Sequence, residues 1–298
     1  MKTNCLIILA AALIMTACSD KENKFDATGT FEATEVTVSA QESGCLLSFN
    51  IDEGSKVSVG NQVGLIDTVQ LQLKARQLGA TRQSFASQRP NTQAQIAATR
   101  QQLAKAIQEQ HRFESLVKDD AANRKQLDDA LSNVRVLQRQ LEAQVSSLGN
   151  STQSLNSQMS ATEIQKYQVL DQLSKCHITT PITGVVLDKY VEQGEFVTTG
   201  KPLFKVADTD NMFLRAYITS AQLSMVKLGQ HVKVYSDYGD NKGRQYQGTV
   251  TWISSRSEFT PKTILNEDER ADLVYAVKIA VKNDGYAKIG MYGRVKLN

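Results

Sequence analysis

Residues 39–68 read SAQESGCLLSFNIDEGSKVSVGNQVGLIDT, and residues 179–209 read TTPITGVVLDKYVEQGEFVTTGKPLFKVADT. The two stretches repeat one pattern. Gly44, Gly54 and Gly60 stand ten and then six residues apart, and Gly184, Gly194 and Gly200 have the same spacing. Glu53-Gly54 matches Gln193-Gly194. Each copy reads as strand, turn, short strand, turn, strand, with the glycines where the backbone bends or takes positive φ. Apolar residues alternate around them: Leu46, Phe49, Ile51, Val57 and Val59 in the first copy, Val185, Leu187, Val191, Phe196 and Val197 in the second. Units this short cannot each bury a face alone, but two of them close a small flattened barrel against each other.

Between the copies lie 106 residues, 69–174, of different character. They hold 20 Gln, three aromatics (Phe85, Phe113 and Tyr167), one proline (Pro90) and two glycines (Gly79 and Gly149). A 4-3 spacing runs through Leu127, Leu131, Val134, Gln138, Leu141, Val145, Leu148, Thr152, Leu155, Met159, Thr162, Lys166, Val169 and Leu173, and ten of these fourteen are apolar. A heptad seam kept for about six heptads predicts a coiled coil, extending roughly 70 Å at the helical rise. Ile96, Leu103, Ile107, Phe113 and Val117 give the matching signal in the first half, with Pro90 expected to bend or interrupt that arm. Asp119-Asp120-Ala121 breaks both patterns and reads as the turn between nearly equal arms, 69–118 and 122–174. Equal arms return the chain to where it left, as two halves of one domain require. The competing arrangement, one extended helix that dimerises, leaves the flanking repeat unexplained.

At the amino end, Lys2 precedes an uncharged apolar run of 11 residues, Cys5 to Met15. That is too short to span a bilayer but suits a signal-peptide core. Met15-Thr16-Ala17-Cys18 resembles a lipoprotein signal, in which Cys18 is acylated and becomes the mature amino terminus, although Leu is usual where Met15 stands. Cleavage near Ala17 for ordinary secretion is the other reading; both take the chain out of the cytoplasm. Residues 18–30 then read as a tether. In an oxidising compartment Cys45 and Cys176 either pair or remain two separate small buried residues.

Across the 298 residues, 41% are hydrophobic and 22% charged, which excludes collagen-like and wholly disordered chains. The net charge of +3 is spread along the sequence, with no massed basic surface for nucleic acid. His111, His177 and His231 are far apart, and no cysteine pair has metal-ligand spacing. Glu267, Asp268, Glu269 and Asp272 cluster in sequence without a neighbouring His or Cys and read as a solvated charged loop rather than an acid–base or metal group. No triad context, phosphate loop or nucleophile elbow is present. From Met212 the pattern is strand-like to the end: Met212–Ile218, Val232–Tyr235, Gly248–Ile253, Leu273–Val281 and Met291–Leu297.

This arrangement resembles the HlyD-type periplasmic adaptors, also called membrane fusion proteins. The stretch Thr180–Val186, through Glu192–Val197 and Gly200–Leu203, to Val206-Ala207-Asp208 carries most of the likeness. The resemblance implies an α+β chain: a lipoyl-like β domain (31–68 plus 175–208) split by an antiparallel coiled-coil hairpin (69–174), then a small β-barrel (209–298), after a signal peptide (1–17) and a lipid-anchored tether (18–30). It implies no catalytic residue and no cofactor. The partners it implies are an inner-membrane transporter, an outer-membrane channel and further copies of the chain, hexamers in relatives. A covalent lipoyl or biotinyl carrier shares the fold, but its modified Lys falls at Leu173 here, and Lys175 lacks the carrier context. The hairpin tip resembles the family's channel-contact motif at Arg112, Leu116 and Asn123, with Asn where Ser is usual. The segment from Glu258 to Arg270 resembles a loop of adaptors that serve ABC-type exporters. A coiled-coil scaffold or adhesin is the alternative reading.

Overall fold

The computed structural model describes residues 25–237, 243–258 and 274–297. Cys18, the leader and the acidic group Glu267, Asp268, Glu269 and Asp272 lie outside the described residues. The first strands are β1 (Ala27–Ser39), β2 (Gly44–Phe49), β3 (Lys56–Val57) and β4 (Gln62–Ile66). Three helices follow: α1 (Val69–Ser87), α2 (Thr92–Lys118) and α3 (Arg124–Lys175). The chain returns through β5 (His177–Thr179), β6 (Gly184–Lys189), β7 (Phe196–Val197) and β8 (Pro202–Thr219). It ends with α4 (Ser220–Leu223), β9 (His231–Ser236), β10 (Gln245–Ile253), β11 (Val274–Lys282) and β12 (Tyr292–Lys296). The helices make one compact unit, Ile66–His177, and the flanking β segments together make the other.

In the β unit the two repeat copies exchange hydrogen bonds reciprocally. Strand β3 of the first copy pairs with β6 of the second, and β7 of the second pairs with β2 of the first. The Gly54 N–H donates to the Val186 carbonyl at 2.8 Å, and the Gly194 N–H to the Leu46 carbonyl at 2.8 Å. The Gly60 N–H reaches the Thr180 carbonyl, and Gly200 reaches Ala40, again both at 2.8 Å. The turn-glycine amides of each copy are thus satisfied by the other copy, which ties the two together. The shared interior holds Leu46, Ile66, Val186, Val191, Val197 and Phe204.

The glycines serve two purposes rather than one. Gly54 (φ 83°), Gly60 (φ 80°), Gly194 (φ 91°) and Gly200 (φ 88°) take left-handed backbone in turns. Gly184 does not: a Cβ there would lie 2.0 Å from the Ala207 carbonyl oxygen, so β6 and β8 approach only because it has no side chain. Gly44 likewise is not left-handed; it opens β2 opposite Val197.

Strands β1, β12, β9, β10, β11 and β8 form a closed ring, β1 pairing with both β12 and β8. Closure leaves no free edge in this part. Its interior is built around Phe31, Leu214, Ile218, Val234 and Ile279. Two features differ from the sequence expectation. Strand β1 begins at Ala27, inside the segment read as tether, because Ala27, Gly29 and Phe31 alternate into the barrel interior. The barrel is also not confined to residues 209–298. Strands β1 and β8 are continuous through both β regions, with Phe31 opposite Leu214 in the barrel and Val36 opposite Val206 in the lipoyl-like part. A bulge at Ala33/Thr34 marks the change between them.

A polar cluster ties β10 to the turn after β11. The Tyr246 hydroxyl donates to the Asp284 carboxylate at 3.0 Å and the Tyr286 N–H donates at 3.2 Å, while Arg244 pairs with the same carboxylate and stacks over Tyr286. Desolvation pushes the Asp284 carboxyl up, but the Tyr286 N–H, Arg244 and Tyr246 outweigh it and hold it below the usual carboxylate range. A lowered folded-state pKa stabilises the fold above the unfolded pKa, and that contribution is lost as pH falls through the folded value. Asp284→Asn should therefore melt below the parent at neutral pH, with the gap closing on acidification below the ordinary carboxylate range. Thermal melts across pH check this; a gap independent of pH contradicts it. The site is half exposed, so the effect is modest.

In the hairpin unit, α1 and α2 together form one arm and α3 the other. The break between α1 and α2 contains Pro90, and the Asn91 side chain restarts the helix by accepting from the Ala94 N–H at 3.1 Å. Leu71, Ala75 and Leu78 pack on Val169. The seam of α3 follows the sequence pattern except in its middle, where Gln138 and Val145 are exposed and Leu137 and Gln144 turn inward. At the first step the inward residue is the apolar one, Leu137; at the second, the buried Thr99 hydroxyl donates across the arms to the Gln144 amide oxygen at 2.9 Å. The seam steps by one residue, as the mismatch between 3.6 and 3.5 residues per turn allows.

Candidate functional site

The hairpin tip is where the sequence placed its contact residues. Helix α2 ends in a Schellman motif: the Ala121 N–H donates to the Leu116 carbonyl at 2.7 Å and the Asp120 N–H to the Val117 carbonyl at 3.2 Å. Asp120 takes φ 58°, the one left-handed residue other than glycine among the described residues. Asp tolerates this conformation better than most residues, which explains why the turn closes without glycine. Asn123 caps α3. Its side chain accepts from the Lys125 N–H at 3.0 Å, and the Gln126 side chain accepts from the Asn123 N–H at 3.2 Å in a capping box.

Arg112, Leu116 and Asn123 are thus placed on both sides of one turn. Arg112 is exposed, pairs with Glu109 at 2.8 Å and lies 5.2 Å from the centre of the Phe113 ring. Leu116 is half-buried in the last turn of α2, and its carbonyl anchors the turn. Asn123 is exposed, and its cap holds α3 at the turn. Replacing Asn123 with Ala should cost the hairpin about 1 kcal/mol, whereas Ser should cost almost nothing. Denaturant melts of the two variants check this, and equal losses contradict the capping role.

Sequence reasoning missed the charge arrangement around the turn. The Gln110 amide donates to Glu114 at 2.8 Å and His111 lies 3.1 Å from the same carboxylate. The Gln110 hydrogen bond first, and His111 second, hold the Glu114 carboxyl below its usual range. Asp119 and Asp120 stand at the carboxyl end of α2, where the helix dipole favours cations. Arg124 and Lys125 open α3, whose first turn has no acidic residue although the dipole there favours anions. Lys118 in the last turn of α2 suits that dipole, whereas Asp119, Asp120, Arg124 and Lys125 oppose the dipoles of their helix ends. The Asp119-Asp120 pair at a helix end was the available signal.

The remaining candidates are placed as follows. Leu173 and Lys175 lie in the last turns of α3, not at a β-turn, and Lys175 pairs with Asp171 at 2.7 Å. Cys45 and Cys176 are not joined in a disulfide: half-buried Cys45 donates to the Gly194 carbonyl at 3.5 Å, and buried Cys176 donates to the Gln172 carbonyl at 3.4 Å. Among the described residues, no group of three or more His, Cys, Asp or Glu side chains is placed to hold a metal ion. No described helix is long and apolar enough to cross a membrane.

Comparison with known proteins agrees with this architecture. Residues 34–209 match the family model described as RND MFP, barrel-sandwich hybrid domain. The UPF0194 membrane protein YbhG of Salmonella arizonae is 28% identical, with 100% of this chain and 98% of the relative covered. A UPF0194 membrane protein of Acidithiobacillus ferridurans is 25% identical over 88% of this chain and 83% of its own. Among solved structures, MacA from Actinobacillus actinomycetemcomitans is similar with a TM-score of 0.54 at 23% identity, covering 90% of this chain and 76% of that one. A MacA-MexA chimera containing the Pseudomonas aeruginosa MexA α-hairpin domain gives a TM-score of 0.51 at 22% identity, over 91% and 78% of the two chains. At these identities the solved structures speak to the fold alone. The family match covers more than half of the chain, on a split β unit whose halves exchange hydrogen bonds around a helical hairpin, and the protein therefore belongs to the membrane fusion protein family of periplasmic adaptors.

Proposed function

We propose that this chain is the adaptor of a tripartite export system, anchored by lipid at Cys18 and joining an inner-membrane transporter to an outer-membrane channel. Its role is non-catalytic: it supplies geometry and coupling, and the transporter supplies energy. The observation that carries the reading is the hairpin itself. Helix α3 has 52 residues and so extends about 78 Å. Its exposed faces are mostly polar, and it ends in a built, capped turn. The tip charges add to this, because residues that oppose their own helix dipoles are explained by a partner that uses them. In this reading Arg112, Leu116 and Asn123 form the channel contact. Several copies, six by analogy with relatives, pack side by side in a closed ring, with heterologous contacts between lipoyl-like faces. Exposed Phe196 and Leu47, on facing strands of that part, suit such a contact.

The transporter is of ABC type on the resemblance of the segment from Glu258 to Arg270. The RND description of the matched family favours an RND transporter as the second reading. Crosslinking in whole cells followed by purification and mass spectrometry tests both. Recovery of an ATPase-containing transporter with a channel supports the first, and recovery of an RND transporter supports the second. Recovery of neither contradicts the adaptor role.

A further inference from the structure

The chain enters the barrel at the end remote from the lipoyl-like part, because β1 runs from Ala27 in the barrel to Ser39 beyond it. That entry is firmly held. The Asp26 N–H donates to the Val295 carbonyl at 2.9 Å, the Asp26 carboxylate accepts from the Leu297 N–H at 2.7 Å, and the Gln222 amide donates to the Asp26 carbonyl at 2.6 Å. Phe25 packs edge-on to Tyr235 and lies under the Arg294 guanidinium at 4.5 Å. The turn after α4 is fixed at the same end. The Gly229 N–H donates to the Val250 carbonyl at 2.8 Å, the Gln230 amide to the Leu297 carbonyl at 2.7 Å, and the Lys227 N–H to the Gln230 amide oxygen at 2.9 Å. Val226 is buried in the barrel core, 6% exposed, while Met225 and Leu228 are 64% and 67% exposed. With Val226 locked inside, its two large apolar neighbours are held outward by a rigid turn.

We propose that this barrel end is a membrane-interface contact, with Met225 and Leu228 entering the headgroup–acyl boundary of a phospholipid bilayer and Lys227, Lys233 and Lys296 meeting lipid phosphates. The inference rests on the lipid-anchor reading of Cys18 and extends it. Cys18 stands seven residues before Phe25, and seven extended residues reach at most about 25 Å. An acylated Cys18 therefore holds Phe25, and with it this end of the barrel, within about 25 Å of the bilayer. The chemistry suits that position. Lys227 lies between the two exposed apolar residues, and Lys233 and Lys296 face each other as exposed neighbours on β9 and β12. Apolar side chains flanked by lysines bind membrane surfaces by burial and by attraction to anionic headgroups, and the lysine stems lie along the apolar surface. A second contact beside the lipid anchor fixes the orientation of the barrel on the bilayer.

The test uses the full mature chain, lipidated and reconstituted into phosphatidylethanolamine–phosphatidylglycerol vesicles. A fluorophore is attached at Leu228→Cys or, as control, at Tyr190→Cys in the lipoyl-like part, both with Cys45→Ser, and quenched by phospholipid carrying a headgroup-proximal nitroxide. The Leu228 probe should be quenched several-fold more than the Tyr190 probe, and Lys227→Glu with Lys233→Glu should reduce the difference. Flotation with the vesicles but equal quenching at the two sites overturns the proposal and leaves the anchor standing. Protection of the Leu228 probe only when a purified transporter is added overturns it in favour of a protein partner. Failure to float overturns the anchor reading and the proposal with it.

Discussion

Leu116→Asp is expected to abolish crosslinking between the hairpin tip and the outer-membrane channel, while the chain still folds. Leu116 is half-buried in the last turn of α2, beside Val117, the last seam position of that arm. A carboxylate there adds to Asp119 and Asp120 at a helix end that already opposes anions, costing the tip about 1 kcal/mol. The rest of the seam is untouched, so circular dichroism and the main melting transition should change little. Leu116→Met keeps the apolar surface and should keep the crosslink. A crosslink that survives in the Asp variant removes Leu116 from the docking surface, and loss in the Met variant would point to turn geometry instead.

A large effect on folding is expected at Gly184. Its missing side chain lets β6 meet β8, and an added Cβ would fall 2.0 Å from the Ala207 carbonyl oxygen. That atom is backbone in a strand shared by both β regions, so it cannot yield cheaply. Gly184→Ala should cost about 3 kcal/mol or more and leave the β unit sensitive to protease. Gly194→Ala is the informative contrast. Gly194 has nothing within 4 Å of an added Cβ, but it takes φ 91°. Its cost is backbone strain alone, about 1–2 kcal/mol. Denaturant unfolding separates the two, and a Gly184→Ala chain no less stable than Gly194→Ala would contradict the close-approach reading.

The split β unit was legible because the repeat is written in glycine spacing, and turn geometry demands glycine wherever it recurs. The difference between Gly184 and Gly194 was not legible, since both are glycines of the repeat and only the neighbouring strand shows which is crowded. The hairpin was legible from its heptads and from Asp119-Asp120-Ala121. Its middle register was not, because apolar counting prefers Val145 to Gln144. Only the opposite arm, with Thr99, makes the polar residue the better inward choice. The amino end of β1 resembles a tether in sequence because Thr28, Gly29 and Thr30 carry little apolar signal. Its place in the sheet is decided by strands more than 180 residues later in the sequence. At the tip, the left-handed Asp120 was not legible, because it depends on the Schellman closure around it.

The central claim is that the hairpin carries its tip to a different membrane from the one that holds the β unit. A photo-crosslinking residue placed at Ala121 in the tip, and separately at Leu228 on the barrel, tests it in intact cells. The adducts are assigned after the two membranes are separated. The account predicts an outer-membrane channel protein at Ala121, and inner-membrane lipid at Leu228. The same partner at both positions, or adducts only between copies of this chain, would contradict a bridging adaptor and favour a coiled-coil scaffold.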